Sequence, residues 1–264
     1  MNINRVFLML VTPLFLAACE RDRIPDLCED PAALCVELHQ GKSCRVERTA
    51  LIHAHGQHAS APGDQSDYHL IQTLQQYRNC LAPWLVIKDP QHQERKNDKV
   101  EVVIQAKEAI TQLASRTAQS DDPYLLLWHW QYQSSHQAKA RFIQLAERPE
   151  MQQPELQKVL AAFLLLRNSQ AAEQALHHAL SLYDQNAAID TDIIATLLTL
   201  YIRERRYQEV WVWSRVLQRL DHSSTISLDR MNAYAHFTAS EQQSMQQDVE
   251  RILTQLKAGN YRRG

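Results

Sequence analysis

The chain has 264 residues, 28 Lys and Arg against 30 Asp and Glu, and five glycines. Glycine normally makes up about 7% of a globular chain. Its scarcity, beside 28 glutamines and abundant Leu, Ala and Glu, favours helix and excludes barrels, sandwiches and glycine-looped nucleotide folds. A net charge of −2 offers no attraction to a polyanion, so nucleic acid is not an expected partner.

At the N-terminus, Arg5 is the one charge before an apolar run from Val6 to Ala18. The run is too short for a helix that spans a bilayer, which needs about 20 residues. A basic start, a short apolar stretch and small residues at its end form a secretory signal. The run closes as Leu16-Ala17-Ala18-Cys19, and these residues resemble a bacterial lipobox. The resemblance implies cleavage after residue 18 and lipidation of Cys19. Bacterial lipoproteins carry three acyl chains, and each buried methylene contributes about 0.8 kcal/mol, so such an anchor is effectively permanent. Glu20 and Arg21 follow, not the Asp that often marks inner-membrane retention. The outer membrane, facing the periplasm, is therefore the expected location.

Four further cysteines, Cys28, Cys35, Cys44 and Cys80, are an even number in an oxidising compartment and predict two disulfides. No C-x-x-C spacing is present, so neither a redox pair nor a zinc knuckle is indicated. Asp30-Pro31 starts a helix that carries Leu34 and Leu38 and stops at Gly41. Further helices are predicted from about Arg45 to His55, with Gly56 as the stop, and from about Ser66 to Leu81. Antiparallel packing of the last two favours Cys44–Cys80 over the other pairings, which leaves Cys28–Cys35. Residues 19–87 thus read as a small disulfide-stapled helical domain.

Cys28, Pro31…Leu34-Cys35…Leu38, Cys44-Arg45-x-Glu47-Arg48-x-x-Leu51-Ile52 and Tyr77-x-x-Cys80 resemble an uncharacterised family of gammaproteobacterial lipoproteins. The similarity extends through Leu125-Leu126-Leu127-Trp128-His129-Trp130 to Trp211-Val212-Trp213. That family is a domain of unknown function, so the resemblance implies localisation and no activity.

Residues 88–98 are polar and aperiodic and are taken as a linker or loop. Beyond them Val103, Ala106, Ile110 and Leu113 mark one face of a helix ending near Ala118, and Asp122-Pro123 opens another. Leu125, His129, Ala138, Phe142 and Leu145 recur 34 residues later as Val159, Phe163, Ala172, Leu176 and Ala179. They recur 38 residues further on as Leu197, Tyr201, Val210, Ser214 and Leu217. Each set describes two helices about a short turn, and the spacing resembles tetratricopeptide repeats. The departures are Leu126, Leu160 and Leu198, where the repeat has a small residue, and Asp184 and His222, where it has proline, so Sel1-like or unclassified helical hairpins are the alternative reading. A helix near Leu228 to Phe237 follows. Ser240-x-x-Gln243 then reads as a capping box for a final helix with Val249, Ile252 and Leu256. The predicted fold is all-α: a helical-hairpin solenoid over 99–258, preceded by the stapled domain and followed by a disordered tail at 259–264.

The sequence carries no G-x-S-x-G, H-E-x-x-H or P-loop, so no catalytic residue, cofactor or small-molecule substrate is expected. His53, His55 and His58 form the best metal candidate. His55 and His58 share a helix face and His53 lies across from it, with no acid or thiol at ligand spacing, so solvated histidines are the simpler reading. His177 and His178 are adjacent and cannot share a face. Trp128, Trp130, Tyr132, Trp211 and Trp213 read as core or amphipathic wall residues. In a tetratricopeptide array the first helix of each pair lines a groove, and carrying that over assigns Trp130, Gln131, Gln157, Leu164, Leu165, Ile202 and Arg203 to it. The function expected is a lipid-anchored scaffold or adaptor presenting this surface to an envelope protein, with metal binding at His53, His55 and His58 as the alternative.

Overall fold

The structure, a computed structural model, describes residues 43–86, 93–221 and 235–263. Cys19, Cys28, Cys35, the leader at 1–18 and most of the helix expected near Leu228 lie outside the described residues. Among those described there are ten α-helices and no strand. The chain divides into two compact units, Met1–Leu113 and Ala114–Gly264.

In the first unit α1 (Arg45–Ser60) and α2 (Asp64–Leu81) form a hairpin about a three-residue turn. Leu51, Ile52 and Ala54 face Leu70, Ile71, Leu74, Tyr77 and Leu81, all buried. The period of three and four residues along α2 is what lines these side chains on one face. The Cys44–Cys80 disulfide joins the start of α1 to the end of α2, with Cα atoms 5.9 Å apart. Gly56 does not stop α1, which continues to Ser60; the glycine is exposed and nothing lies within 4 Å of where a Cβ would sit. A mid-helix glycine costs about 1 kcal/mol relative to alanine, which neighbouring turns readily absorb.

Helix α3 (Gln93–Thr117) runs across the division between the units. It begins inside the stretch read as a linker, because Gln93-Glu94-Arg95-Lys96 are good helix formers but polar, so the sequence shows no apolar period there. Its buried face is Val102, Ala106, Ile110 and Leu113, so Val102 occupies the position expected of Val103.

The second unit holds three consecutive hairpins: α4 (Pro123–Gln133) with α5 (His136–Gln144), α6 (Pro154–Leu164) with α7 (Ser169–Ser181), and α8 (Thr191–Arg203) with α9 (Tyr207–Leu220). Helix α8 packs on α7, and α10 (Ala239–Ala258) packs on α9. The starts obey local capping chemistry. Asp122 accepts from the amides of Tyr124 and Leu125, Ser135 from Ala138, Asn168 from Ala171 and Asp190 from Asp192. The last cap sits two residues earlier than the sequence suggested: Thr238 and Glu241 form the capping box, not Ser240 and Gln243, and 235–238 are non-helical. Of the recurring positions, Leu125, His129, Ala138, Phe142, Ala172, Leu176, Ala179, Leu197, Tyr201, Val210, Ser214 and Leu217 are buried, while Leu145, Val159 and Phe163 are half-buried. No hairpin can bury both its faces alone, so each covers the next.

In the chain-entropy picture a crosslink spanning 36 residues contributes about 4 kcal/mol. Reduction, or the pair Cys44→Ser and Cys80→Ser, is therefore expected to lower the thermal midpoint of α1–α2. An unchanged melt would show that the helices hold without the crosslink.

Candidate functional site

The residues assigned to a groove do not share one environment. Gln157 is 3% exposed, and its amide donates to the Met151 carbonyl at 2.9 Å, which makes it a strut beneath α6. Leu164 and Leu165 are half-buried against the core of the second unit. Trp130 is half-buried and meets the rings of Phe142 and Phe163 at 6.0 and 5.9 Å. Gln131, Ile202 and Arg203 are exposed, and Arg203 donates to the Leu165 carbonyl at 2.8 Å. Three apolar side chains stand out at the turns inside the three hairpins: Tyr132 at 62% exposure, Leu166 at 84% and Ile202 at 57%.

Of the histidine triad, His58 turns its Nε2 to the Asp67 carboxylate at 2.8 Å across the α1–α2 turn. Burial and the nearby His58 push the His55 pKa down. His53 is half-buried. Among the described residues, the three ligand-bearing side chains that gather within 4.8 Å are Cys44, Glu47 and Cys80, and two of these are the disulfide.

A cluster the sequence reading did not single out lies where α7, α8, α9 and the chain end converge. Glu173 on α7 is 4% exposed. Its carboxylate accepts from Tyr201 Oη at 2.9 Å, Arg206 Nη1 at 2.9 Å and Arg263 Nη2 at 2.6 Å. Burial opposes its charge, but the His177 ring 3.7 Å away, together with Arg206, Tyr201 and the Arg263 charge, holds the carboxyl well below the usual carboxylate range. Tyr201 has one hydroxyl proton, which goes to Glu173, so its oxygen accepts from His177 Nε2 at 2.9 Å. His177 Nδ1 then accepts from the Tyr261 hydroxyl at 2.6 Å. One direction of donation thus runs from Tyr261 through His177 and Tyr201 to Glu173. Burial pushes the His177 pKa down, and burial also raises both tyrosines. The His177 ring stacks on Tyr261 and tilts against Trp213, with centroids 6.0 and 5.6 Å away. Beside this network, among the described residues, is a cavity of about 490 Å³ walled by α9, α10 and the terminal segment.

Residues 259–263 are therefore no free tail. Gly259 adopts φ +67°, and its amide and that of Asn260 return to Leu256 and Gln255. This glycine stop sends Tyr261 back onto α7, where it is 4% exposed. A Cβ at Gly259 would lie 2.4 Å from Gln185 N and 2.7 Å from Asp184 C. One tyrosine among arginines gives no periodicity, so the docking left no pattern in the sequence. The signal that did exist was Glu173 and His177, four residues apart on an apolar helix face.

Comparison with known families finds one described as "Protein of unknown function (DUF2989)", whose model matches residues 16–215. The chain belongs to this family. No curated protein and no solved structure matches it. The DUF2989 match spans α1 to α8 and most of α9, including Glu173, His177, Tyr201 and Arg206, and stops before α10 and the two terminal residues that complete the cluster.

A histidine that is neutral in the fold but takes up a proton when unfolded stabilises above its unfolded pKa, here 6.5, and loses that contribution as pH falls. Wild type is thus expected to lose more thermal stability than His177→Gln between about pH 7.5 and pH 5.5; equal losses would contradict a neutral buried ring. Gly259→Ala should destabilise by about 2 kcal/mol or more, since strain and backbone overlap add. Chemical denaturation measures it, and a neutral effect would mean the segment is not docked as described.

Proposed function

We propose that this chain is a non-enzymatic scaffold or adaptor, anchored by lipid on Cys19 to the periplasmic face of the outer membrane. Its helical hairpins would act as a tetratricopeptide-like array that presents a protein-binding surface to an envelope partner. Support for the anchor is the Val6–Ala18 run ending in Leu16-Ala17-Ala18-Cys19. Among the described residues no helix is long and apolar enough to cross a membrane, which is compatible with attachment by acyl chains.

The observation that carries the binding role is the exposure of Tyr132, Leu166 and Ile202, one at the turn of each of three successive hairpins. Covering a leucine or isoleucine contributes about 1.5–3 kcal/mol, so a partner that reaches two hairpins at once gains from each. Stacked hairpins support this use because their turns repeat along the array and offer an extended surface. The inference from architecture to role is one of fold-level analogy.

Affinity capture of the full chain from detergent-solubilised envelopes should recover a stoichiometric protein, and Leu166→Asp with Ile202→Asp should lose it without changing the melt. Recovery of nothing by wild type would refute the adaptor. Cys19→Ala should move the protein from the membrane to the soluble fraction, and continued membrane association would refute the lipid anchor.

A further inference from the structure

The exposed apolar residues of the second unit stand among cations that, among the described residues, pair with no carboxylate. Lys139 Nζ lies 4.9 Å from the ring centre of Trp130 and 4.8 Å from that of Phe163. Arg167 lies 4.4 Å from the Phe163 ring and donates to the Phe163 carbonyl at 3.2 Å. Arg203, next to Ile202, donates to the Leu165 carbonyl at 2.8 Å, and Arg205 follows in the same turn. Ring contacts and these hydrogen bonds make one continuous strip from α4 through the α6–α7 turn to the α8–α9 turn. Among the described residues none of the four cations has a carboxylate partner. Glu204, the acid in this stretch, pairs with Arg206 at 3.5 Å.

This uncompensated charge is local, since the whole chain is at −2. Lysine and arginine held against aromatic faces keep fixed positions while their outer donors stay open. Arginine's planar fork matches a carboxylate in two-point geometry. Leu166 and Ile202, exposed between these cations, supply apolar contacts of the kind a side chain on an opposing peptide covers. Two aliphatic side chains are too little apolar surface to insert into a bilayer interface, which takes a continuous apolar face. They match a short extended peptide, whose alternate side chains each need one apolar contact.

We propose that this strip, running through Lys139, Phe163, Arg167, Leu166, Ile202 and Arg203, binds an acidic peptide segment whose carboxylates alternate with apolar side chains. This rests on the adaptor reading and names the chemistry of its partner.

The test is fluorescence anisotropy of a labelled dodecapeptide of alternating Glu and Leu, titrated with the full chain in detergent. Wild type should bind it and should discriminate against the alternating Lys and Leu peptide. Affinity should fall as salt rises from about 0.05 M to 0.5 M. It should fall about tenfold or more in Arg167→Glu with Arg203→Glu, and likewise in Leu166→Asp with Ile202→Asp, whose side chains are exposed and leave the fold intact. Circular dichroism melts of both double variants check folding. No binding by wild type, or equal binding by the charge-reversed chain, overturns the proposal. So does sedimentation of the full chain carrying Cys19→Ala with phosphatidylglycerol vesicles, if charge reversal abolishes it and the acidic peptide does not bind. If envelope capture succeeds with the charge-reversed chain, the adaptor stands and the strip is refuted.

Discussion

A carboxylate taken out of water must find donors, and Glu173 draws its three from three separate stretches of the second unit. Tyr201 comes from α8, Arg206 from the turn into α9, and Arg263 from beyond α10. A buried ion is costly by itself, by several kcal/mol, and such a group persists only where its lone pairs are filled. The consequence is geometric: the second hairpin, the third hairpin and the chain end are tied to one side chain on α7. Hydrophobic stacking draws the hairpins together and is tolerant of small slides. The charge-assisted bonds at Glu173 fix their register.

That register bears on the surface. Arg206 closes the same turn that carries Ile202, Arg203 and Arg205, with its amide returned to the Tyr201 carbonyl at 2.9 Å. Its guanidinium bonds Glu173 and Glu209 and lies 4.5 Å above the Tyr201 ring. The turn is therefore anchored from beneath while its outer residues remain exposed. Arg203 reaches the Leu165 carbonyl and so couples this turn to the end of α6. A recognition surface composed of separate turns loses affinity if the turns move independently, because ordering them costs entropy at binding. Rigid spacing is what the buried cluster supplies.

Much of this architecture was legible from residue order, because helices announce themselves through period and caps. Asp122-Pro123 and the spacing of Leu125, Phe142, Leu176 and Leu197 rest on local rules, and the structure follows them. The Cys44–Cys80 pair followed from antiparallel geometry. The chain end was illegible because its order comes from one tyrosine meeting one histidine across 84 positions, a contact no local pattern encodes. The turn at Arg205 is similar: a residue at φ 58° fills a position where glycine is usual, so scarcity of glycine hid a standard helix stop. The groove assignment carried over Gln157 by register, whereas the Met151 carbonyl beneath α6 claims its amide.

Glu173 is the tie among the hairpins, and hydrogen–deuterium exchange of Glu173→Gln against wild type tests that most directly. Amides of α7, α8, α9 and the 259–263 segment are predicted to exchange faster together, with α1 and α2 unchanged. Faster exchange confined to the last few residues, or none anywhere, would contradict it.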